Sequence, residues 1–558
     1  MAQALDSLRR LETLKLEFGP AAADDKLRCL KTLKAARLKA ADQVVRLHEA
    51  LCFLQAWPDN AAVAALTEDM LAHFDRRRDV RQHADELADT GIAGTAINFS
   101  FYAATARWLA ERWPDRLHID WDAFENVDKL ESFLSLLVSY SETPAVDNTS
   151  MELPEWIDRL KGADETDATF VIRRFVALVE NGFLYERVFE DMDMPLVLDA
   201  GPDTPSRTRA KYGDPPIVAQ TTPFPRQRPR VADEILVPTQ PAQRVSRNQR
   251  NRLVDVAHTA MVTRQRDLDA FAYADPNDVR LIDDGDGVQF VLNGVLPERR
   301  FLLETQYGFV VLKNGVPIGY GAITCLFRSA EVAYTVFDSF RGGESARIYV
   351  RTLAMVYQVF GCDTFMIDPY QLGADNEDAL KSGAWWFYQK LGYRPREKSL
   401  LRLMDQELSK MKKQPRHRSS MTVLKRLASE NVYLDLNEQR DDVVGILDFA
   451  NVGLKICDLL AERFGSDREE GGAVLSEEAA SRLGVRDFRG WSAAEKVAWR
   501  RWSPLVALIG DVGRWPAADR ESLVDLIRAK GGQQELSYLR QFDDHLRLRK
   551  AVVKLAAN

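Results

Sequence analysis

Cysteine is scarce in this chain: five in 558 residues, at positions 29, 52, 325, 362 and 457. An odd and scattered set is not a disulfide framework, and no Cys-x-x-Cys pair is present to hold zinc. The seven histidines show no His-Glu-x-x-His spacing, which argues against a helix-borne metal site. Long hydrophobic runs are also lacking. No stretch reaches the roughly 18 apolar residues of a membrane span, and Met1 to Arg10 has no apolar core of signal-peptide length. The expectation is a cytoplasmic protein in a reducing compartment, with no metal and no membrane contact. Positive charge is in deficit, with 75 Lys and Arg against 83 Asp and Glu, a net charge of −8. A whole surface built to grip nucleic acid is excluded, and nucleic acid is not an expected partner. A local basic patch is not excluded.

What is present is an ordinary globular balance. Hydrophobic residues make up 46% and charged residues 28%, which rules out disorder over the whole chain. The length suggests about three or four domains.

The organisation changes along the chain. Residues 1–198 read as an N-terminal helical domain. Val44, Val45, Leu47, Leu51, Leu54 and Trp57 recur at helical spacing before Pro58-Asp59-Asn60 breaks the pattern. Ile97 to Trp113 is apolar enough for a buried helix, and Phe133 to Tyr140 is another apolar stretch. Arg76 to Arg78 is either an anion site or a solvated helix end. Residues 199–250 form a linker. Nine of the 23 prolines fall between Pro202 and Pro241, and ten Lys and Arg face three acids from Arg207 to Arg252. Proline at that density prevents regular helix and implies a linker or a strap over another domain. Interleaved aromatics are few (Tyr212, Phe224), so a nucleic-acid arm is disfavoured.

Residues 251–412 carry a mixed pattern. Phe309 to Leu312 is a strand, Asn314-Gly315 a hairpin turn, Val316 to Leu326 the returning strand and Val332 to Phe337 a third. A turn, Asp338-Ser339-Phe340-Arg341-Gly342-Gly343-Glu344-Ser345-Ala346, then enters a helix with apolar positions three and four apart. Such a turn exposes backbone N–H groups at a positive helix end, where an anion can sit. Thr364 to Asp368 is a strand stopped by Pro369, and a second helix runs from Asn376 to Leu391. Gly383 inside it costs about 1 kcal/mol against alanine and suggests a close approach. Trp385, Trp386, Phe387 and Tyr388 are consecutive, so they cannot all face one core; some must meet a ligand or another domain, and cover by the flanking helical domains is the expectation. Residues 413–558 return to helix. Ser492 and Glu495 form a capping-box pair, and Leu523, Leu526, Ile527, Leu539, Phe542 and Leu546 mark apolar stripes.

The order hairpin, strand, Arg-Gly turn, helix, strand, then Ala384-x-x-x-Tyr388-x-Lys390-x-Gly392-Tyr393 resembles a GNAT-type N-acyltransferase domain. The resemblance covers under a third of the chain. It implies an α+β fold: a GNAT-like mixed sheet core flanked by N- and C-terminal all-α domains. It also implies acetyl-CoA or another acyl-CoA as co-substrate. Val336, Arg341, Gly342, Gly343, Ser345, Ala346 and Lys381 are the implied binding positions. Two positions depart from the family pattern. Glu344 replaces the central glycine of the turn, where a carboxylate repels a pyrophosphate. Lys381 replaces the usual asparagine.

The implied reaction is direct transfer, with a base taking the proton of an amine and an acid protonating the leaving thiolate. By position, Tyr388 matches the acid. Glu331, at the start of the third strand, and Asp368, at a strand end, are the candidate bases. Cys325 and Cys362 are the alternative nucleophiles, though free cysteine is usually buried and inert. The expected function is acyl-CoA-dependent N-acylation, acetyl by default, of a small-molecule or protein amine. The helical ends are free to dock a protein partner. A non-catalytic scaffold on a degenerate core and a transferase using aminoacyl-tRNA are the alternatives. The second of these would take its phosphate contacts from the basic linker.

Overall fold

The computed structural model describes residues 2–179, 183–225, 227–243, 245–342 and 344–557. Mixed helix and sheet organise around one eight-stranded sheet. Its strands are β4 (Ala274–Gly285), β5 (Val288–Val295), β6 (Thr305–Lys313), β7 (Val316–Leu326), β8 (Ser329–Val336), β9 (Thr364–Ile367), β10 (Arg394–Pro395) and β11 (Val432–Asp435). The spatial order is β10-β11-β9-β8-β7-β6-β5-β4. Seven strand pairs meet in this order; β8 with β9 is parallel and the others are antiparallel.

The Asn314-Gly315 turn joins β6 to β7 as expected. Both residues have positive φ, +51° and +80°, the geometry a two-residue hairpin requires. Asn314 also clamps its surroundings: its side chain donates to Ala56 O and Val218 O and accepts from Val218 N. The apolar run Phe309 to Leu312 is buried on both faces, as in a sheet covered on both sides. Tyr307, Phe309 and Val311 join one core. Val310 and Leu312 join another, with Leu253, Val254 and Ala257 of the helix Arg247–Val262.

Seven helices bear on the site: α1 (Ala2–Leu14), α2 (Pro20–Ala35), α3 (Ala41–Ala56), α4 (Ser345–Phe360), α5 (Glu377–Ser382), α6 (Ala384–Gln389) and α7 (Lys398–Lys413), with α8 (Met421–Leu427) following. Helix α4 makes the crossover between the parallel strands and ends at Gly361 in left-handed conformation, φ +74°. The first three helices do not form a separate domain core. Leu8, Leu30, Leu47 and Trp57 share one continuous core with Phe309, Val332 and Tyr349.

Residues 97–198 have their own core, and here the all-α expectation is corrected. Strands β1 (Ile97–Phe99), β2 (Leu117–Ile119) and β3 (Leu196–Leu198) form a small antiparallel sheet in the order β1-β3-β2. The helix expected from Ile97 starts only at Ala103, because Ile97–Phe99 pair with β3 instead. Tyr140 is exposed rather than packed. Of the three arginines, Arg77 binds Asp79 and the carbonyls of Leu33 and Ala36.

The all-α expectation for residues 413–558 is also corrected: β11 lies there and pairs with both β9 and β10. The C-terminal helices pack on the sheet through Leu326, Phe327, Met366 and Tyr433. The Ser492–Glu495 capping box is formed. Leu523, Leu526, Ile527, Leu539 and Phe542 are buried, whereas Leu546 is exposed.

The proline-rich segment is a strap. Tyr212 N donates to Gly315 O and Gln220 N to Pro58 O, and the Phe224 ring meets Phe18 and Trp57. Its first cations are neutralised: Arg207 by Glu49 at 2.8 Å, Arg209 by Asp75 at 2.9 Å and Lys211 by Glu68 at 3.0 Å.

Candidate active site

The parallel strands β8 and β9 run together for three pairs only: Ser329 with Thr364, Ala330 with Phe365 and Glu331 with Met366. Beyond that point β8 continues to Val336, while β9 stops at Ile367 and Pro369 starts a helical turn. Among the described residues, the backbone of β8 after Glu331 has no strand partner on the β9 side. Val336 pairs with Gly319 of β7 on its other edge.

Glu331 and Asp368 stand at this fork. Asp368 caps the turn after β9, accepting from Tyr370 N at 2.8 Å. Burial, and then the Asp368 carboxylate, push Glu331 up to about 7. A carboxyl poised there exchanges protons readily near neutral pH.

Alternation along β8 sends Ala330 and Val332 into the main core, with Tyr334 packed beside them, and Glu331 to the other face. Tyr334 belongs to an aromatic cluster with Phe309, Tyr349, Tyr388 and Tyr393. The Tyr349 and Tyr393 hydroxyls are 2.8 Å apart. The Tyr334 hydroxyl is buried without a hydrogen-bond partner. Burial pushes the Tyr388 phenol above its usual value. The structure thus joins Glu331 to Asp368 and Tyr388 to the tyrosine cluster. Tyr334 and Tyr349 were not singled out from sequence, although their strand and helix were.

The turn before α4 is occupied by protein groups. Phe340 is buried against Trp57, with ring centroids 6.0 Å apart. Arg341 is exposed and paired with Asp338 at 2.7 Å. Gly342 has φ +91°, and a Cβ there would touch the Leu16 side chain at 3.4 Å. Gly343 lies outside the described residues. Ser345 and Ala346 open the first turn of α4, each partly exposed.

Glu344 is buried, and its carboxylate lies 3.0 Å from Arg347, 3.6 Å from Lys313 and 3.4 Å from the Trp57 indole nitrogen. Burial pushes the Lys313 ammonium below its usual value. Burial also opposes the charge of Arg347, but Asp286 and Glu344 hold it above its usual value. The negative charge favoured at a helix N-terminus is therefore supplied by the chain itself. Lys313 carried one sequence signal, a lone cation ending an apolar strand. Lys381 does not reach this turn by any contact of its own; it pairs with Glu377 at 2.8 Å on exposed α5.

Two further expectations change. The helix expected from Asn376 to Leu391 is broken at Gly383, which has φ +70° and open space where a Cβ would lie. The glycine serves a helix end, not a close approach. Cys325 and Cys362 are both fully buried, with sulfurs 3.6 Å apart, and burial pushes the Cys325 thiol well up. A buried neutral thiol is a poor nucleophile.

The aromatic run of α6 is covered from several sides. Trp385 donates to Leu427 O and Trp386 to Ser419 Oγ, while Phe387 meets Tyr349 and lies under Arg228 of the strap. Among the described residues no helix is long and apolar enough to cross a membrane, and no group of His, Cys, Asp and Glu side chains gathers as a metal site.

Comparison with known proteins gives no match: no family model, no curated protein and no solved structure is similar to this chain.

Proposed function

We propose that the protein is an acyl-CoA-dependent N-acyltransferase acting at the β8–β9 fork. The observation that carries the reading is the divergence of the two parallel strands immediately after Glu331. Unpaired N–H and C=O groups of a diverging strand can hydrogen-bond an extended, amide-bearing chain such as pantetheine. A GNAT-type domain uses the strand marked here by Val336 in that way.

Glu331, ionised above about pH 7, takes a proton from the acceptor amine. The amine nitrogen attacks the thioester carbonyl, a C–N bond forms and the C–S bond breaks. Tyr388, held protonated by burial, supplies the proton to the departing thiolate. Acetyl is the default acyl group, and the acceptor is a small-molecule or protein amine.

The turn argues differently. A pyrophosphate placed there meets the Glu344 carboxylate, with its cations already engaged. This favours a second reading, a scaffold on a degenerate core whose helical flanks dock a protein partner. Calorimetric titration of the full chain with acetyl-CoA and CoA separates the two. Under the first reading both ligands bind at or below millimolar concentration, and Glu331→Gln keeps the binding. Absence of heat and of thermal stabilisation at millimolar ligand removes the acyl-CoA reading. Gain of binding only in Glu344→Gly supports the scaffold. The third alternative, a transferase fed by aminoacyl-tRNA, loses its expected phosphate contacts where the strap cations are neutralised.

A further inference from the structure

A second basic region lies where the strap, α6 and α7 come together. Residues 410–426 contain seven Lys and Arg and no Asp or Glu. Lys410 is committed to the buried Glu407 carboxylate at 2.7 Å. That carboxylate also accepts from His417 at 2.9 Å and Ser419 at 2.6 Å, which pins the loop between α7 and α8 in place. The loop is thereby a fixed platform rather than a loose tail.

Lys412, Lys413, Arg416 and Arg418 are exposed on it. Two exposed cations join them from elsewhere: Arg228 of the strap, 5.7 Å above the Phe387 ring, and Lys390 at the end of α6. Among the described residues none of these six has a carboxylate within 4.0 Å, in contrast to Arg207, Arg209 and Lys211. Two of them, Arg228 and Arg418, are felt at Lys390. Partial burial pushes its ammonium below the usual value, and Arg228 and Arg418 push it further.

The helix C-terminus of α7 accounts for Lys412 and Lys413. It gives no reason for Arg418, Arg228 and Lys390 to gather, beside Arg416 in the same loop, in a protein of net charge −8. Uncompensated like charge is unfavourable unless an anion shares the surface.

We infer that this platform binds the phosphodiester backbone of a nucleic acid. The alternative polyanion is an anionic membrane, and the apolar side chains decide against it. Leu400, Met404, Leu424 and Leu427 are buried, and Leu401, Leu403, Leu408, Met411 and Val423 pack against the core. Only Met421 of this segment is an exposed large hydrophobic residue. A membrane-surface helix needs an apolar face to insert; a sugar-phosphate backbone needs only fixed cations. The inference stands apart from the acyltransferase reading, since it uses none of the fork residues.

Fluorescence anisotropy of the full chain with a labelled single-stranded RNA and a labelled DNA duplex tests it. Six contacts give a slope of log affinity on log salt of about −4 to −5. The variant K412E/K413E/R416E/R418E weakens binding at least tenfold, whereas K→E and R→E changes at four exposed cations of the C-terminal region (R468E/R486E/R489E/K496E) alter it less than about twofold. Should the first variant fold poorly, R416Q/R418Q weakens binding several-fold and flattens the slope. Absence of binding at 50 mM salt overturns the inference. So does equal loss in both charge-reversed variants, or binding to phosphatidylserine vesicles without binding to either nucleic acid.

Discussion

Two glutamates, Glu344 buried and Glu331 half-buried, flank the same strand and helix, and their surroundings are opposite. Glu344 sits among Lys313, Arg347 and the Trp57 N–H. Glu331 faces Asp368, a second carboxylate, and burial pushes it up to about 7. One site surrounds its carboxylate with positive and N–H partners; the other makes charge expensive and keeps a proton within reach. Burial alone therefore does not fix a carboxylate's role. The sign of the nearest neighbours decides whether it becomes part of the frame or a proton carrier.

Breaking the frame has the largest expected effect. Glu344→Ala leaves the buried Lys313 with the Asp286 carbonyl, 2.6 Å away, but without the Glu344 carboxylate, which costs about 3 kcal/mol or more in urea denaturation. A loss below about 1 kcal/mol would make the pair a surface contact in energetic terms.

Glu331→Gln acts with the opposite sign and depends on pH. The native carboxyl holds its proton up to about 7, against an ordinary glutamate value of 4.5. The folded state therefore binds more protons across that window, and wild-type stability falls as pH rises through it. Glutamine carries no such charge. The variant gains about 3 kcal/mol on the wild type between pH 4 and pH 8. Parallel stability curves for the two proteins would refute this.

Asp368→Asn sharpens the comparison by the smallest amount. Burial is the main cause of the Glu331 shift and Asp368 the lesser one. Carbon-13 titration of Glu331 then moves down by about one unit or less. A fall of more than about two units would make the neighbouring charge the dominant cause.

The sequence pattern carried the central motif well. Asn314-Gly315, the α4 helix and the β9 strand stand where periodicity and turn chemistry put them, and the two fork carboxylates were named as candidates. Strands β1, β2 and β3 span three residues each, and β11 four, too short for an alternation to register. Gly383 read as a cost inside a helix because φ is invisible in sequence. The partners of Glu344 come from β6, α3 and its own helix, and only Arg347, three residues away, was within local reach. The apolar face of α3 was evident, but not that it would meet the sheet together with α1 and α2. The platform at 410–426 is plain as composition, yet Arg228 and Lys390 reach it only through the folded strap and α6.

The strand order has a consequence for how the chain is made. β11 inserts between β9 and β10, so β10 has no neighbour in the sheet until β11 has been synthesised after it. The main core likewise draws on Leu8 and on Leu539. A nascent chain leaving the ribosome at roughly 5–20 residues per second must hold the early helices and the half-built sheet without their late partners. Folding of this core is therefore expected to complete only after the segment around Leu539 has left the ribosome, with β9 as the exposed edge that a chaperone would need to guard until then.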